Sequence, residues 1–312
     1  MCNSVWSGAG RGVTYCLGNK NKIWGVDMGK IHHLPLFAVL LLSACGAARE
    51  GMDNSAELAS IEAIDDATVA DIMLNAGDAQ QAIAFFRGKL ADEPNRVDYK
   101  RGLAQSYIRA RQYADAVLIY EQMDAAGQAN NDDLMALADA YLRNGGWDEA
   151  RATLAKVPPT LETYDRYRLE ALLADNNQEW DRADSFYETA RGLTTTPASI
   201  LNNWGFSKRV RGEYEAAERL FRQALSYDSD LFTAKTNLAV VRALQGNYRL
   251  PIIPMTDVEK AVLLYEVARI AANRGDRDIA RGMLEQAIDT HPQFFDAAVQ
   301  ALATLNSAGP NE

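Results

Sequence analysis

Histidine and cysteine are scarce, three of each in 312 residues, and their placement makes them scarcer still. His32, His33, Cys2 and Cys16 all lie before Cys45, in a stretch that reads as a cleaved leader, so the processed chain would keep only His291 and Cys45. That leaves no disulfide, no Cys/His nucleophile pair, no cysteine-rich zinc site and no histidine cluster. The sequence also lacks a Gly-rich phosphate loop, a Gly-x-Ser-x-Gly and a His-Glu-x-x-His. Carboxylates are plentiful, but no pair is arranged specifically for catalysis. No enzyme, catalytic residue, metal, cofactor or small-molecule substrate is therefore expected; a hydrolase hidden among the carboxylates would need a deep acidic pocket.

Long apolar runs are missing too. The run at 34–42 spans nine residues, against roughly 20 needed to cross a bilayer. It reads as a signal-peptide core, because it closes on Leu42-Ser43-Ala44-Cys45, which resembles the lipobox of bacterial lipoproteins. The resemblance implies that Cys45 is lipidated and becomes the mature N-terminus. Lys30 supplies the positive n-region, and Met28 ahead of it reads as the true start, with 1–27 as a long n-region the alternative. A buried helix end with a chance cysteine is the competing reading of 34–45.

Basic residues are outnumbered. From Cys45 onward there are 28 Lys/Arg against 41 Asp/Glu, near −13. So acidic a surface is repelled by nucleic-acid phosphates and by anionic headgroups, which excludes nucleic acid as an expected partner and leaves membrane attachment to the acyl chains. One chain binds only marginally, at roughly 0.8 kcal/mol per buried methylene, whereas the three of a lipoprotein hold firmly.

What is present is a repeat. Ala82, Ala116, Ala150, Ala183 and Ala217 are spaced by 34, 34, 33 and 34 residues. Five positions before each stands a turn residue: Gly77, Arg111, Gly145, Gln178 and Gly212. Four after stands a large one: Phe86, Tyr120, Leu154, Tyr187 and Phe221. Leu103-Ala104, Leu137-Ala138 and Trp204-Gly205 pair small with large in the preceding helices. Two helices approach closely only where a side chain is nearly absent, and the large residue one turn on fills the space beside it. The pattern resembles the tetratricopeptide repeat (TPR). It implies an all-α TPR solenoid, a right-handed superhelix of antiparallel helix hairpins with about six to seven repeats.

A sixth repeat starts at Leu238-Ala239, but its mark falls on Pro251 within Arg249-Leu250-Pro251-Ile252-Ile253-Pro254. Two prolines three apart forbid a helix, so one repeat is broken near 249–256. The expected organisation is a leader at 1–44, the lipidated cysteine and a short tether at 45–54, repeats at 55–248, a connector at 249–256, a last repeat with its capping helix at 257–306, and a tail at 307–312. A tether of that length spans ~15–20 Å.

Stacked hairpins of this family line a concave groove with their first helices, and such grooves hold segments of partner proteins. The groove candidates are Arg101, Gln105 and Arg109; Met135, Asp139 and Arg143; Arg168; and Asn202 and Phe206. Arginine in three neighbouring hairpins suggests an acidic ligand segment; solvated charge on an exposed face is the competing reading. The lysine and asparagine set with which chaperone-binding TPR proteins clamp a terminal carboxylate is not recognisable, which disfavours that role. Asn202 reads as a hydrogen-bonding partner for ligand backbone, and Trp204 and Gly205 as helix packing. Leu250, Ile252, Ile253 and Met255 read equally as an exposed strand docking a partner and as a kinked connector.

A closer resemblance covers roughly 200–305. Asn203-Trp204-Gly205-Phe206-Ser207, Leu231-Phe232-Thr233-Ala234-Lys235, Leu250-Pro251-Ile252-Ile253-Pro254-Met255-Thr256 and Ala287-Ile288-Asp289-Thr290-His291-Pro292 look like the TadD family of Flp pilus assembly proteins. The Leu-Pro-x-x-Pro-Met-Thr connector is the specific part. The resemblance implies an outer-membrane lipoprotein of the tight-adherence system, on the periplasmic face, whose partner is the pilus secretin or another pilus component. Gly46 after the cysteine agrees with outer-membrane sorting. The alternative is a general periplasmic assembly adaptor unrelated to pili.

Overall fold

The computed structural model describes residues 66–307, and among them every regular element is a helix. The expected leader, Cys45, the tether, the start of the repeats at 55–65 and most of the tail lie outside the described residues. Two compact units divide the chain, with the boundary between Ile119 and Tyr120.

In the first unit, α1 (Asp66–Asn75) and α2 (Ala79–Asp92) form a hairpin, followed by α3 (Val97–Arg109) and the start of α4 (Tyr113–Ala125). Asp78 begins α2 by accepting hydrogen bonds from the backbone of Gln80 and Gln81, two of the donors a helix start leaves free. Ala82 and Phe86 are buried, and the Phe86 ring lies so close to α3 that a Cβ on Gly102 would sit 2.5 Å from it.

The second unit repeats the motif. Its hairpins are α5 (Asn131–Asn144) with α6 (Trp147–Leu154), α7 (Tyr164–Asn176) with α8 (Trp180–Gly192), and α9 (Ala198–Val210) with α10 (Tyr214–Tyr227). After α11 (Phe232–Leu244) come α12 (Asp257–Asn273), α13 (Arg277–Thr290) and α14 (Asp296–Ser307). The marks Ala150, Ala183 and Ala217 are fully buried, as is Ala280 in α13. A Cβ on Gly205 would approach the Phe221 ring to 2.7 Å, so the small-against-large pairing is a steric requirement of the α9–α10 hairpin.

The turns hold one surprise. Gly145 and Gly212 are left-handed, as a reversing turn favours, but Arg111 and Gln178 take the same conformation, with φ of 61° and 60°. Gly77 does not, and its amide bonds back to Ile72 instead. Hairpin closure therefore dictates the backbone, and the side chain is tolerated at a cost of roughly 1–2 kcal/mol.

No helix forms at 249–256. Leu250 and Met255 pack with Ala239, Ala243, Leu263 and Val267, so eight residues fill part of the volume a second helix would occupy. α12 then starts cleanly, because the Thr256 hydroxyl accepts from Glu259 N while the Glu259 carboxylate accepts from Thr256 N.

Candidate protein-interaction surfaces

In the first unit, Gln105 on α3 is exposed and Arg101 is half-buried. Arg109 donates to the carbonyls of Met73 at 2.8 Å and Gly77 at 2.5 Å. It thereby satisfies the end of α1, where a cation meets orphan carbonyls and the negative pole of the helix.

In the second unit, Asp139 on α5 is buried between two arginines. Arg143 Nε lies 2.5 Å from it and Arg168 Nη1, from α7, 2.9 Å. Arg168 also reaches Asp165 at 3.3 Å. Burial alone would raise the Asp139 carboxyl; Arg168 and Arg143 outweigh it and hold the group below the ordinary carboxylate range. Two cations thus face two anions. Arg143 and Arg168, two of the arginines expected to recruit an acidic ligand, are neutralised within the chain, because Asp139, four and 29 residues away in sequence, folds against them.

Met135 is buried, with the Thr163 hydroxyl 3.6 Å from its sulfur. Asn202 is buried and its Oδ1 accepts from Asn237 Nδ2 at 3.0 Å. Phe206 is buried beneath the Arg209 guanidinium, 4.5 Å from its centroid. Trp204 stacks on Tyr187 and donates Nε1 to Asp184 at 2.7 Å.

Sequence reading missed a ladder between successive hairpins. After the marks Ala150, Ala183 and Ala217, the next residue bonds the one six before the following mark: Arg151 to Asn177 at 2.8 Å, Asp184 to Arg211 at 2.6 Å, Glu218 to Gln245 at 3.0 Å. Arg281 continues it to Asn306 at 3.1 Å. The signal was available, since those positions carry complementary polar residues at the repeat spacing. Burial raises the Asp184 carboxyl, but hydrogen bonds from Arg211, Lys208 and Trp204 overcome this and lower it. Beside it, burial pushes the Asp175 carboxyl up, only partly offset by hydrogen bonds from Ser207 and Tyr187. Lys235, almost wholly buried, pairs with Glu259 at 3.1 Å and ties α11 to the start of α12.

The connector has a fixed base and a free tip. Leu250 and Met255 pack inward and Pro251 is buried. Tyr248 donates to Asp276, and Ile253 N bonds Pro251 O at 3.1 Å, a tight turn about Ile252. Ile252 is wholly exposed, at 104%, while Ile253 is half-buried. The segment is thus a kinked connector with an inward-packed base and an exposed tip.

Buried marks, left-handed turns and a 33–34-residue period define a tetratricopeptide-repeat fold. Residues 73–132 and 110–175 match the family model described as tetratricopeptide repeat. A tetratricopeptide repeat protein from Parabacteroides merdae is similar at 14% identity and TM-score 0.53, covering 77% of this chain and 96% of that one. PilW, a widely conserved type IV pilus biogenesis factor, is similar at 17% identity and TM-score 0.51, covering 66% and 98%. The Cut9–Hcn1 assembly is similar at 12% identity and TM-score 0.55, covering 80% of this chain and 51% of that one, about half its length. No curated protein matches the chain. At these identities the likeness is one of fold.

Proposed function

We propose that this chain is a non-catalytic, lipid-anchored TPR scaffold of Flp pilus assembly, held by Cys45 at the periplasmic face of the outer membrane and supporting the pilus secretin. The observation that carries the reading is the connector. In an otherwise regular series of hairpins, one second helix is replaced by an anchored segment that presents Ile252 to solvent. The same segment bears the Leu-Pro-x-x-Pro-Met-Thr motif that resembles TadD proteins. PilW illustrates that a TPR fold can serve pilus biogenesis, but the likeness to it extends to fold alone.

The test is a pulldown of the intact protein from detergent-solubilised envelopes, with mass spectrometry of what it brings. Recovery of a secretin, reduced by Ile252→Glu, supports the proposal. Recovery of diverse envelope proteins without a pilus component overturns it in favour of a general assembly adaptor. Cys45→Ser should release the protein from membranes with its helicity intact; retention would sink the anchor.

A further inference from the structure

Eight positions before the mark, the first helices carry Leu74, Ile108 and Leu142, then Asp175 and Arg209, then Ala243 and Ala272. Asp175 is the only acid among them, and it is 5% exposed. It stands in the last turn of α7, where a carboxylate is disfavoured twice, by lost hydration and by the negative pole of the helix. Two hydroxyls receive it. Tyr187 on α8 lies 2.7 Å from Oδ2, and Ser207 on α9 lies 2.6 Å from Oδ1. The carboxyl therefore joins its own hairpin to the first helix of the next.

The cations at this joint are committed elsewhere. Arg211, just past the end of α9, donates to Asp184 Oδ1 at 2.6 Å and to Oδ2 at 3.1 Å, and lies 3.5 Å from Glu213 at the start of α10. Lys208 bridges Asp184 and Glu213, each at 2.8 Å. Arg211 also donates to Ser207 Oγ at 2.9 Å, so that hydroxyl stands between the guanidinium and Asp175. Burial raises the Asp175 carboxyl, the nearby Asp184 charge adds to this, and the two hydroxyls with Arg211 offset it only in part.

Both protonation states fit these partners. Ionised, Asp175 accepts from both hydroxyls. Neutral, it still accepts from Ser207, whose oxygen is occupied by Arg211, and donates its own proton from Oδ2 to the Tyr187 oxygen. The neutral form keeps both bonds without a buried charge. We propose that Asp175 is a pH-responsive latch between the α7–α8 hairpin and α9: protonation closes the joint and ionisation loosens it. A carboxyl raised in the folded state costs stability above its folded value, and the cost disappears as pH falls towards the unfolded range, about pH 4. Asp184 and Glu218 are held low and lose their stabilisation only below that range, so the two effects separate in pH.

The test compares the full chain with Asp175→Asn, in which an amide stands in for the neutral acid, from pH 8 to pH 4. Melting temperature reads the cost of the charge. Tryptophan emission reads the joint, since Trp204 stacks on Tyr187 and the Trp180 ring lies 5.2 Å from the Arg211 guanidinium. The expected result is a variant that melts about 2–4 °C higher at pH 8, a difference that vanishes near pH 4, and an emission step in the parent protein that the variant lacks. A variant that melts lower at pH 8 would show the ionised carboxylate to be stabilising, and overturns the proposal. A difference in melting that does not change with pH, or the same emission step in both proteins, overturns it as well. Should asparagine not fold, Asp175→Leu supplies the emission readout, because Leu142 is buried at the equivalent place of the preceding repeat.

Discussion

The fifth and sixth repeats begin alike and end differently. Both have a well-packed first helix, α9 and α11, and both turn through a left-handed glycine, Gly212 and Gly246. Both are tied to the preceding hairpin, Arg211 donating to Asp184 in one and Gln245 to Glu218 in the other. Beyond the turn the fifth builds α10 and buries Ala217 and Phe221, whereas the sixth meets Pro251 and Pro254 and builds none. Leu250 and Met255 then pack in place of helix side chains, and Ile252 is turned outward. A TPR array therefore tolerates the loss of a second helix if a few apolar residues still reach the core.

The largest effect should come from the intact side. Ala217→Trp puts a large ring where the helices have no room, and should cost about 3 kcal/mol in denaturant unfolding, the upper range of overpacking. A melting temperature equal to that of the parent protein would refute the register of the repeat.

Next come the two rungs. Asp184 is held by Arg211, Lys208 and Trp204, Glu218 by Arg222 and Gln245, and both carboxyls lie below their ordinary values. Asp184→Asn should cost about 2 kcal/mol, since it strips partners from two half-buried cations, and Glu218→Gln under about 1 kcal/mol. A carboxyl depressed in the folded state contributes its full stabilisation above the unfolded range, about pH 4, and loses it as pH falls through the folded value. Acid should thus lower the melting temperature, with a shallower slope in Asp184→Asn; equal slopes would show that the rung is not coupled to folding.

A smaller effect of opposite sign tests the turns. Gln178→Gly should stabilise by roughly 0.5–1 kcal/mol by relieving a left-handed backbone, making that hairpin resemble the one turned by Gly212. The smallest effect belongs to the connector tip: Ile252→Ser should move stability by less than about 0.5 kcal/mol, while Leu250→Ser costs about 2 kcal/mol. Equal losses at the two would mean that the tip is not free.

Spacing, turn positions, buried marks and the proline break are all legible along the chain, because each depends on local backbone preference or on one hairpin closing upon itself. Arg111 and Gln178 were legible as turn positions, though not as left-handed residues without glycine. What the candidate residues touch was not legible. Arg168 meets Asp139 from 29 positions away, and Lys235 meets Glu259 from 24. Such pairs depend on the rotation and separation of neighbouring helices. The sequence by itself determined the repeating hairpins and where they fail; only the tertiary structure decided that Arg143 and Arg168 are neutralised, that Asn202 pairs with Asn237, and that Ile252 is exposed, because helix packing sets which side chains meet.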